Sequence, residues 1–426
     1  MFFRQKFPCP DSCEDRRVPH DTSDDTADGA SARRVVIVGG GPAGLMAAES
    51  AARAGAGVVL VEAGRSPGRK LVLAGRSGLN LSSTAPADRF LTAYGSDAAR
   101  LGPCINAFDI DALSRWSASL GEPVVVGSSG RVFPASWRAT PLLRAWLRRL
   151  GDLGVEIRTS TRCVDLSAAG APIIDDGNGP PGVLPARATV LACGGASWPR
   201  TGSDGRWMAL LGDRGVSLEV LRPANAGLSV SWSTHALRHD GEVLKDVSVN
   251  IPGGRPVRGD LVIVRSGLQG TPAYSLAAGI SGSSTVVIDL RPDLSEADLA
   301  DRLRSIRHGE SIAHRLRRVG LSPAAVAVAN EHTRNPSDPD KLARHVKSVP
   351  IELTGTEPLD RAISTVGGVA WSALTDQLRI DRLGPVFAAG EMIAWNAPTG
   401  GYLLHACLAT GAWAGRHAAA LALSVS

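Results

Sequence analysis

Unbroken apolar runs that end in glycine recur along this chain. They are Val35–Val38, the core of ARATVLACGG at 186–195, and the core of LGPVFAAGE at 383–391. A short apolar run bounded by turn residues reads as a strand buried on both faces, as in a parallel sheet. A further run, Gly57–Val61, ends in Glu62 instead. Ala-rich segments follow two of these turns, at Leu45–Ala54 and Leu403–Ala414, and read as helices. The middle of the chain has a different period. EVLKDVSVNI, DLVIVRS and STVVIDLRP alternate like antiparallel strands. SEADLADRLRSIRHGESIAHRLRRVG and DPDKLARHVKSV read as helices, with Ser295 and Asp338 as caps and Pro339 at the first helical position, where its missing N–H is harmless.

The first turn carries recognisable chemistry. Val35–Val38 runs into Gly39-x-Gly41-x-Ala43-Gly44 and then a helix, and Glu62 closes the second strand eighteen residues after Gly44. The glycines permit a tight turn, close approach of backbone to a pyrophosphate, and helix-on-strand packing. The helix start supplies amides and a positive dipole. A carboxylate at the end of the second strand accepts both ribose hydroxyls of an adenosine and repels a 2′-phosphate. Strand, turn, helix, strand and acid in that order predict a dinucleotide site.

A nicotinamide domain needs no further glycine-ended strands, whereas an extended FAD does. Its ribitol and flavin ring reach across to strands returning from elsewhere in the chain. Gly194 and Gly195 end one such strand, and Gly390 with Glu391 ends the other, Glu391 facing ribitol or pyrophosphate-side hydroxyls. Gly400, Gly401 and Tyr402 then present backbone amides at the start of the last helix, where amides and dipole stabilise negative charge on a reduced flavin.

The set VVIVGGGPAGLMAA, GRKLVLAGRSGLNLSS, VLACGGASWPRTGSDG, AISTVGGVAW and VFAAGEMIAWNAPTGGYLLHACLATG resembles the bacterial NAD(P)/FAD-dependent oxidoreductases of the YhiN/BaiN type, also described as aminoacetone oxidase family FAD-binding enzymes. The likeness spans nearly everything after residue 33. It implies an α/β fold in which a Rossmann-like FAD-binding domain is interrupted by an inserted β-barrel-like plus helical module. On that basis the expected divisions are a disordered tail at 1–32, FAD domain at 33–205, a module at 206–350 that is β-rich to 292 and helical after 293, and FAD domain again at 351–426. It also implies that Arg69, Lys70, Ser77, Gly78 and Asn80 lie beside the cofactor. Arg69 and Lys70 follow Glu62 closely enough to reach phosphates, and the small Ser77-Gly78 pair lets backbone approach a flat ring. Ser203, Asp204 and Gly205 are expected to cap a following helix. The chain departs from the family pattern at Ala394, Trp395, Asn396 and Leu403.

Charge and cysteines narrow the function. The chain carries a net +5, and because residues 1–32 are acidic the remainder is more basic still, which suits an anionic ligand. The basic stretch WRATPLLRAWLRRL reads as a helix with a solvated face, so no nucleic-acid partner is expected from it. Six scattered cysteines with no C-x-x-C spacing fit a reduced cytoplasmic protein without a metal site, and no cysteine pair follows Glu62 as a disulfide reductase requires. Cys9 and Cys13 could hold a metal only with partners the tail lacks, and the five scattered histidines at 235, 239, 308, 314 and 332 read as surface or capping residues. No apolar stretch reaches the ~20 residues of a membrane span.

The expected activity is therefore hydride transfer from NADH or NADPH, bound transiently, through noncovalent FAD to a small organic acceptor or dioxygen. An FAD-dependent RNA-modifying protein and a flavoprotein scaffold or redox sensor stand as alternatives. Oligomeric state and substrate identity are open. Tyr402 and His405, three residues apart on one helix face, are the candidate proton donors; the competing reading has Tyr402 packing and His405 bracing a neighbouring loop.

Overall fold

The computed structural model describes residues 33–424 apart from 77, 281, 307–308 and 333–335, so Cys9, Cys13, Ser77 and His308 lie outside the described residues. The labelled elements are β1 (Arg34–Val38), α1 (Pro42–Arg53), β2 (Gly57–Val61), α2 (Arg69–Ala74), β3 (Glu156–Arg158), β4 (Ala188–Leu191), β5 (Val386–Ala388) and α3 (Tyr402–Leu423). The five strands form one parallel sheet in the order β5-β4-β1-β2-β3. All three glycine-ended runs are thus neighbours, and their carboxyl ends lie side by side. Val35, Val36 and Ile37 are completely buried, which is why the run shows no alternation.

The C-terminal helix is longer than its sequence pattern predicts. It runs on to Leu423 because Ala414, Gly415, Ala418, Ala419 and Ala422 continue the buried stripe beyond Ala414. It lies directly on α1. A Cβ on Gly411 would sit 2.2 Å from the Ala43 carbonyl oxygen, and one on Gly415 2.3 Å from that of Ala47, so the two helices touch backbone to backbone.

The middle of the chain builds a second layer system. Seven antiparallel strands form a half-barrel sheet running from Val349–Leu353 at one edge to Gly355–Thr356 at the other, and include Val243–Asn250, Val257–Val264 and Ser284–Asp289. Helices Glu296–Arg304, Ile312–Arg318, Pro323–Ala329 and Pro339–Lys347 pack against it around a separate core that includes Leu299, Leu303, Leu316, Leu342 and Val346. Ser295 accepts the Asp298 amide at 3.1 Å and Asp338 the Lys341 amide at 2.9 Å, so both predicted caps form. An antiparallel pair, Leu218–Ala224 with Ser364–Val369, joins this unit to the parallel sheet.

Backbone contact between α1 and α3 leaves no room for a methyl group. Gly415→Val should overpack it and lower stability by about 1–3 kcal/mol or more, with bound flavin lost in proportion. Gly151→Ala, where nothing lies within 4 Å of the added Cβ, serves as the neutral control. Thermal melts and flavin absorbance of the two purified variants check this; equal melting of Gly415→Val and wild type would refute the contact.

Candidate functional site

Ligands of open parallel sheets bind outside the carboxyl ends of the strands. A cavity of about 350 Å³ lies at that place, lined by Gly39, Gly41, Ala43, Glu62, Arg69, Lys70, Gly194 and Glu391, together with Cys163, Cys193, Ser203 and Trp207. The glycines have separate reasons to be there. A Cβ on Gly44 would fall 1.8 Å from the Gly39 carbonyl oxygen, so Gly44 serves packing, whereas one on Gly41 meets nothing within 4 Å and would project into open space.

Glu62 is held by the turn it faces. One carboxylate oxygen accepts the Gly40 amide at 2.8 Å and the other the Gly64 amide at 2.6 Å, leaving lone pairs on both. Lys70 and Glu391, 321 residues apart, form an ion pair at 2.9 Å inside the cavity. Lys70 also donates to Ser197 at 2.7 Å, and the other Glu391 oxygen takes the Thr365 amide at 2.8 Å. Both residues were expected near the cofactor; their direct pairing was not. Arg69 donates to the Arg200 carbonyl at 2.6 Å and has no ion-pair partner among the described residues. Of the two cations, Arg69 is therefore the one whose charge is uncompensated.

The expected cap at 203–205 is absent. The helix begins at Trp207 with no side-chain cap: Asp204 Oδ1 accepts the Arg206 amide at 3.3 Å, one residue short of the helix, while its Oδ2 pairs with the Arg162 and Arg206 guanidinium groups at 3.2 and 3.4 Å. Ser203 Oγ is left buried without a partner at the cavity wall. Asn80 Oδ1 is a second buried oxygen without one. Burial pushes the Cys163 thiol up to about 11 and that of Cys407 to about 12, so both are neutral, and Cys193 is raised further by the same cause.

The remaining predicted residues that the structure describes do not line the cavity, and only Gly195 and Gly390 touch residues that do. Gly195 abuts Thr365 and Glu391, and Gly390 abuts Ala43. Gly400 and Gly401 form the turn into α3, where a Cβ on Gly401 would meet the Ser82 backbone at 2.6 Å. Gly78 is covered by the rings of Phe133 and Trp137, with Asn80 two residues on. Tyr402 stacks on Phe90 with centroids 4.7 Å apart, and its carbonyl accepts the Tyr94 hydroxyl at 2.9 Å.

His405 is corrected most sharply. It is 1% exposed, its Nε2 donates to the Phe108 carbonyl at 2.7 Å, and its Nδ1 therefore accepts from the Ser82 hydroxyl at 2.6 Å. Burial pushes its pKa down to about 4. A neutral ring with both nitrogens committed to the protein and no open face is a structural brace, so the proton-donor assignment of His405 is withdrawn. Thr365, Ser197 and Asp204 complete the polar frame; Thr365 lies within AISTVGGVAW, a segment that carries the family likeness, but nothing in that segment singled it out as a site residue.

The parallel sheet, the glycine turn under an acid, and the third strand returning from the C-terminus define an FAD-binding flavoenzyme fold. The orphaned Ser203 hydroxyl, the space over Gly41 and the free charge of Arg69 fit a bound dinucleotide. The described sequence matches the HI0933-like protein Rossmann domain over residues 33–417, and the chain belongs to that FAD-binding oxidoreductase family. It is 26% identical over 415 residues to a 3-dehydro-bile acid delta(4,6)-reductase of Clostridium scindens, covering 91% of this chain and 99% of that one. It is 24% identical over 398 residues to the ribosomal RNA dihydrouridine synthase of Escherichia coli, covering 86% and 93%. Among solved structures it is similar to the open conformation of a flavocytochrome c3 fumarate reductase, at 16% identity and a TM-score of 0.53 over 96% of this chain and 83% of that one, which is a likeness of fold.

Glu62→Gln should weaken FAD binding by roughly 1–3 kcal/mol, since an amide cannot accept from both backbone N–H groups and a ribose hydroxyl at once. Occupancy at limiting FAD checks it; an unchanged value would remove Glu62 as a ligand.

His405 contributes a pH dependence whose sign follows from its lowered pKa. The folded protein holds it neutral down to about 4, whereas the unfolded chain protonates it near 6.5. Its stabilisation is full above about pH 6.5 and is lost as pH falls towards 4, by up to roughly 3 kcal/mol. His405→Gln should therefore lose less stability than wild type between pH 7 and 4 in denaturant titrations, and parallel curves would contradict it.

Proposed function

We propose that the protein is a reductase that adds a hydride, taken from NADH or NADPH by way of FAD, and a proton to a carbon–carbon double bond conjugated to a carbonyl in a small organic molecule. The cavity carries the reading: a dinucleotide cradle walled on one side by Ala389, Glu391 and Cys407 from the C-terminal part of the chain, in a family whose two relatives above are named as a delta(4,6)-reductase and a dihydrouridine synthase. Both names describe the addition of hydrogen across a ring double bond. FAD, when bound, supplies an acceptor and donor of hydride between reductant and substrate.

This chain's own residues supply placement. Glu62 would hold the ribose and Arg69 with the α1 amides the pyrophosphate, while Ser203 gains a partner for its buried hydroxyl. The Lys70–Glu391 pair would hold the ribitol end, and with Ser197 and Thr365 it ties three segments of the chain together at that point. On this reading the turn Gly400–Tyr402, which starts α3, would offer its helix-start amides to the ring.

Anaerobic stopped-flow mixing of FAD-loaded protein with NADH and, separately, NADPH should bleach the flavin absorbance, followed by reoxidation with a cyclic enone. No bleaching by either nucleotide would exclude the reductant. Reoxidation by dioxygen alone would make the protein an oxidase, and reoxidation by a uridine oligonucleotide but by no enone would move the substrate to RNA.

A further inference from the structure

Two tryptophans in this protein adopt a backbone conformation that bulky residues rarely occupy, and both are exposed: Trp137 with φ 60° at 46% exposure and Trp198 with φ 56° at 41%. A side chain held in a strained conformation without burial to offset it points to a use for the exposed ring. Trp137 carries further observations. Its ring stacks on Phe133 with centroids 4.2 Å apart and planes 16° off parallel. The pair lies over Gly78, at 3.4 and 3.5 Å from the place of a Cβ. The Trp137 carbonyl accepts the Leu79 amide at 2.8 Å, which fixes the platform to the segment bearing the unpartnered Asn80 Oδ1. Three residues beyond Leu79, Ser82 packs against Gly401 of the C-terminal turn.

Three arginines flank this platform along the chain. Arg131 precedes Phe133 on its strand, Arg138 follows Trp137, and Arg76 precedes the Gly78 segment. All three are exposed, and none makes a side-chain hydrogen bond or ion pair among the described residues. The acid of this region, Glu122, is buried and turned onto the Ser136 amide at 3.0 Å. A flat π-surface with unneutralised guanidinium groups beside it recognises a nucleobase together with its phosphates.

We propose that the Phe133–Trp137 pair with Arg76, Arg131 and Arg138 is the docking platform for the nucleotide half of the dinucleotide reductant, the base stacking on Trp137 and the phosphates meeting the arginines. The inference rests on the reading that NADH or NADPH reduces this protein. It supplies what that reading lacks: the one glycine fingerprint, Gly39 to Gly44, is taken by FAD, so the second dinucleotide has no Rossmann turn of its own.

The test separates binding from reduction by using the oxidised, non-reducing nucleotides NAD⁺ and NADP⁺ as probes on FAD-loaded protein, titrated calorimetrically. Trp137→Gly removes the ring and relieves the strained backbone together, so FAD content and melting temperature serve as checks on folding. The affinity for the preferred probe should fall roughly 5- to 100-fold in Trp137→Gly, the range of one lost base stack, and the surface double variant Arg131→Ala/Arg138→Ala should weaken it and flatten its salt dependence. Unchanged affinity in both variants, or no binding of either probe by wild type, overturns the platform. So does Trp137-dependent binding of a uridine oligonucleotide in place of either probe. Flavin that neither NADH nor NADPH reduces, in protein that still binds NADP⁺ through Trp137, would sink the reductant reading and leave the platform standing.

Discussion

The site exists because two helices from opposite ends of the chain meet without side chains between them. Gly411 and Gly415 of α3 lie on the carbonyls of Ala43 and Ala47 of α1, and this contact carries β5 and its turn to the mouth of the phosphate loop. Thr410, beside Gly411, accepts the Gly390 amide at 3.0 Å and so ties the β5 turn to the same helix. The segment between them can be long because loop-closure entropy grows only logarithmically with length. A module of independent core could therefore be inserted between β4 and β5 without disturbing their pairing.

Within the cavity, charge is mostly cancelled before any ligand arrives. Lys70 is committed to Glu391, and Arg162 and Arg206 to Asp204. The Lys70–Glu391 pair is mostly buried, so removing either partner would leave the other uncompensated, whereas Arg162 and Arg206 are largely exposed and screened by solvent. Arg69, bonded to a carbonyl, the amides at the start of α1, and the one charge of the Arg162–Arg206 pair that Asp204 does not offset are what remain for phosphate charges.

What sequence could show was what sits within one turn of the chain. The runs at Val35–Val38, Gly57–Val61, 186–195 and 383–391 form strands because full burial on two faces forces unbroken apolar residues, and Gly39 to Gly44 with Glu62 form a contiguous pattern. Lys70 pairing with Glu391 across 321 residues leaves no local trace. The strand Glu156–Arg158 was missed because it is a half-exposed edge with two charges in three residues, and helix Pro323–Ala329 because a short Ala/Val run fits strand and helix equally. Ser203 and Asp204 had the composition of a cap, but the helix starts later, at Trp207, so Asp204 holds the Arg206 amide ahead of it and its other oxygen pairs with two arginines. Trp137 looked like an aromatic in a basic helix; only the backbone shows it standing outside that helix at φ 60°.

His405 shows why a titratable residue near a reactive centre need not be chemical. A neutral imidazole offers one donor and one acceptor on opposite sides of a rigid ring. Here that geometry joins three segments: α3 itself, the Phe108 carbonyl and the Ser82 hydroxyl. Ser82 is also the residue whose backbone presses on Gly401, so the brace sets how the turn from Gly400 to Tyr402 faces the sheet. Protonation would turn Nδ1 from acceptor to donor, so that the Ser82 hydroxyl would have to reverse its bond, and would place a charge in a buried site, which burial opposes by holding the ring neutral. The same burial that disqualifies His405 as an acid makes the turn rigid, and a rigid turn is what fixed amide dipoles need if they are to act on charge that develops only during reaction.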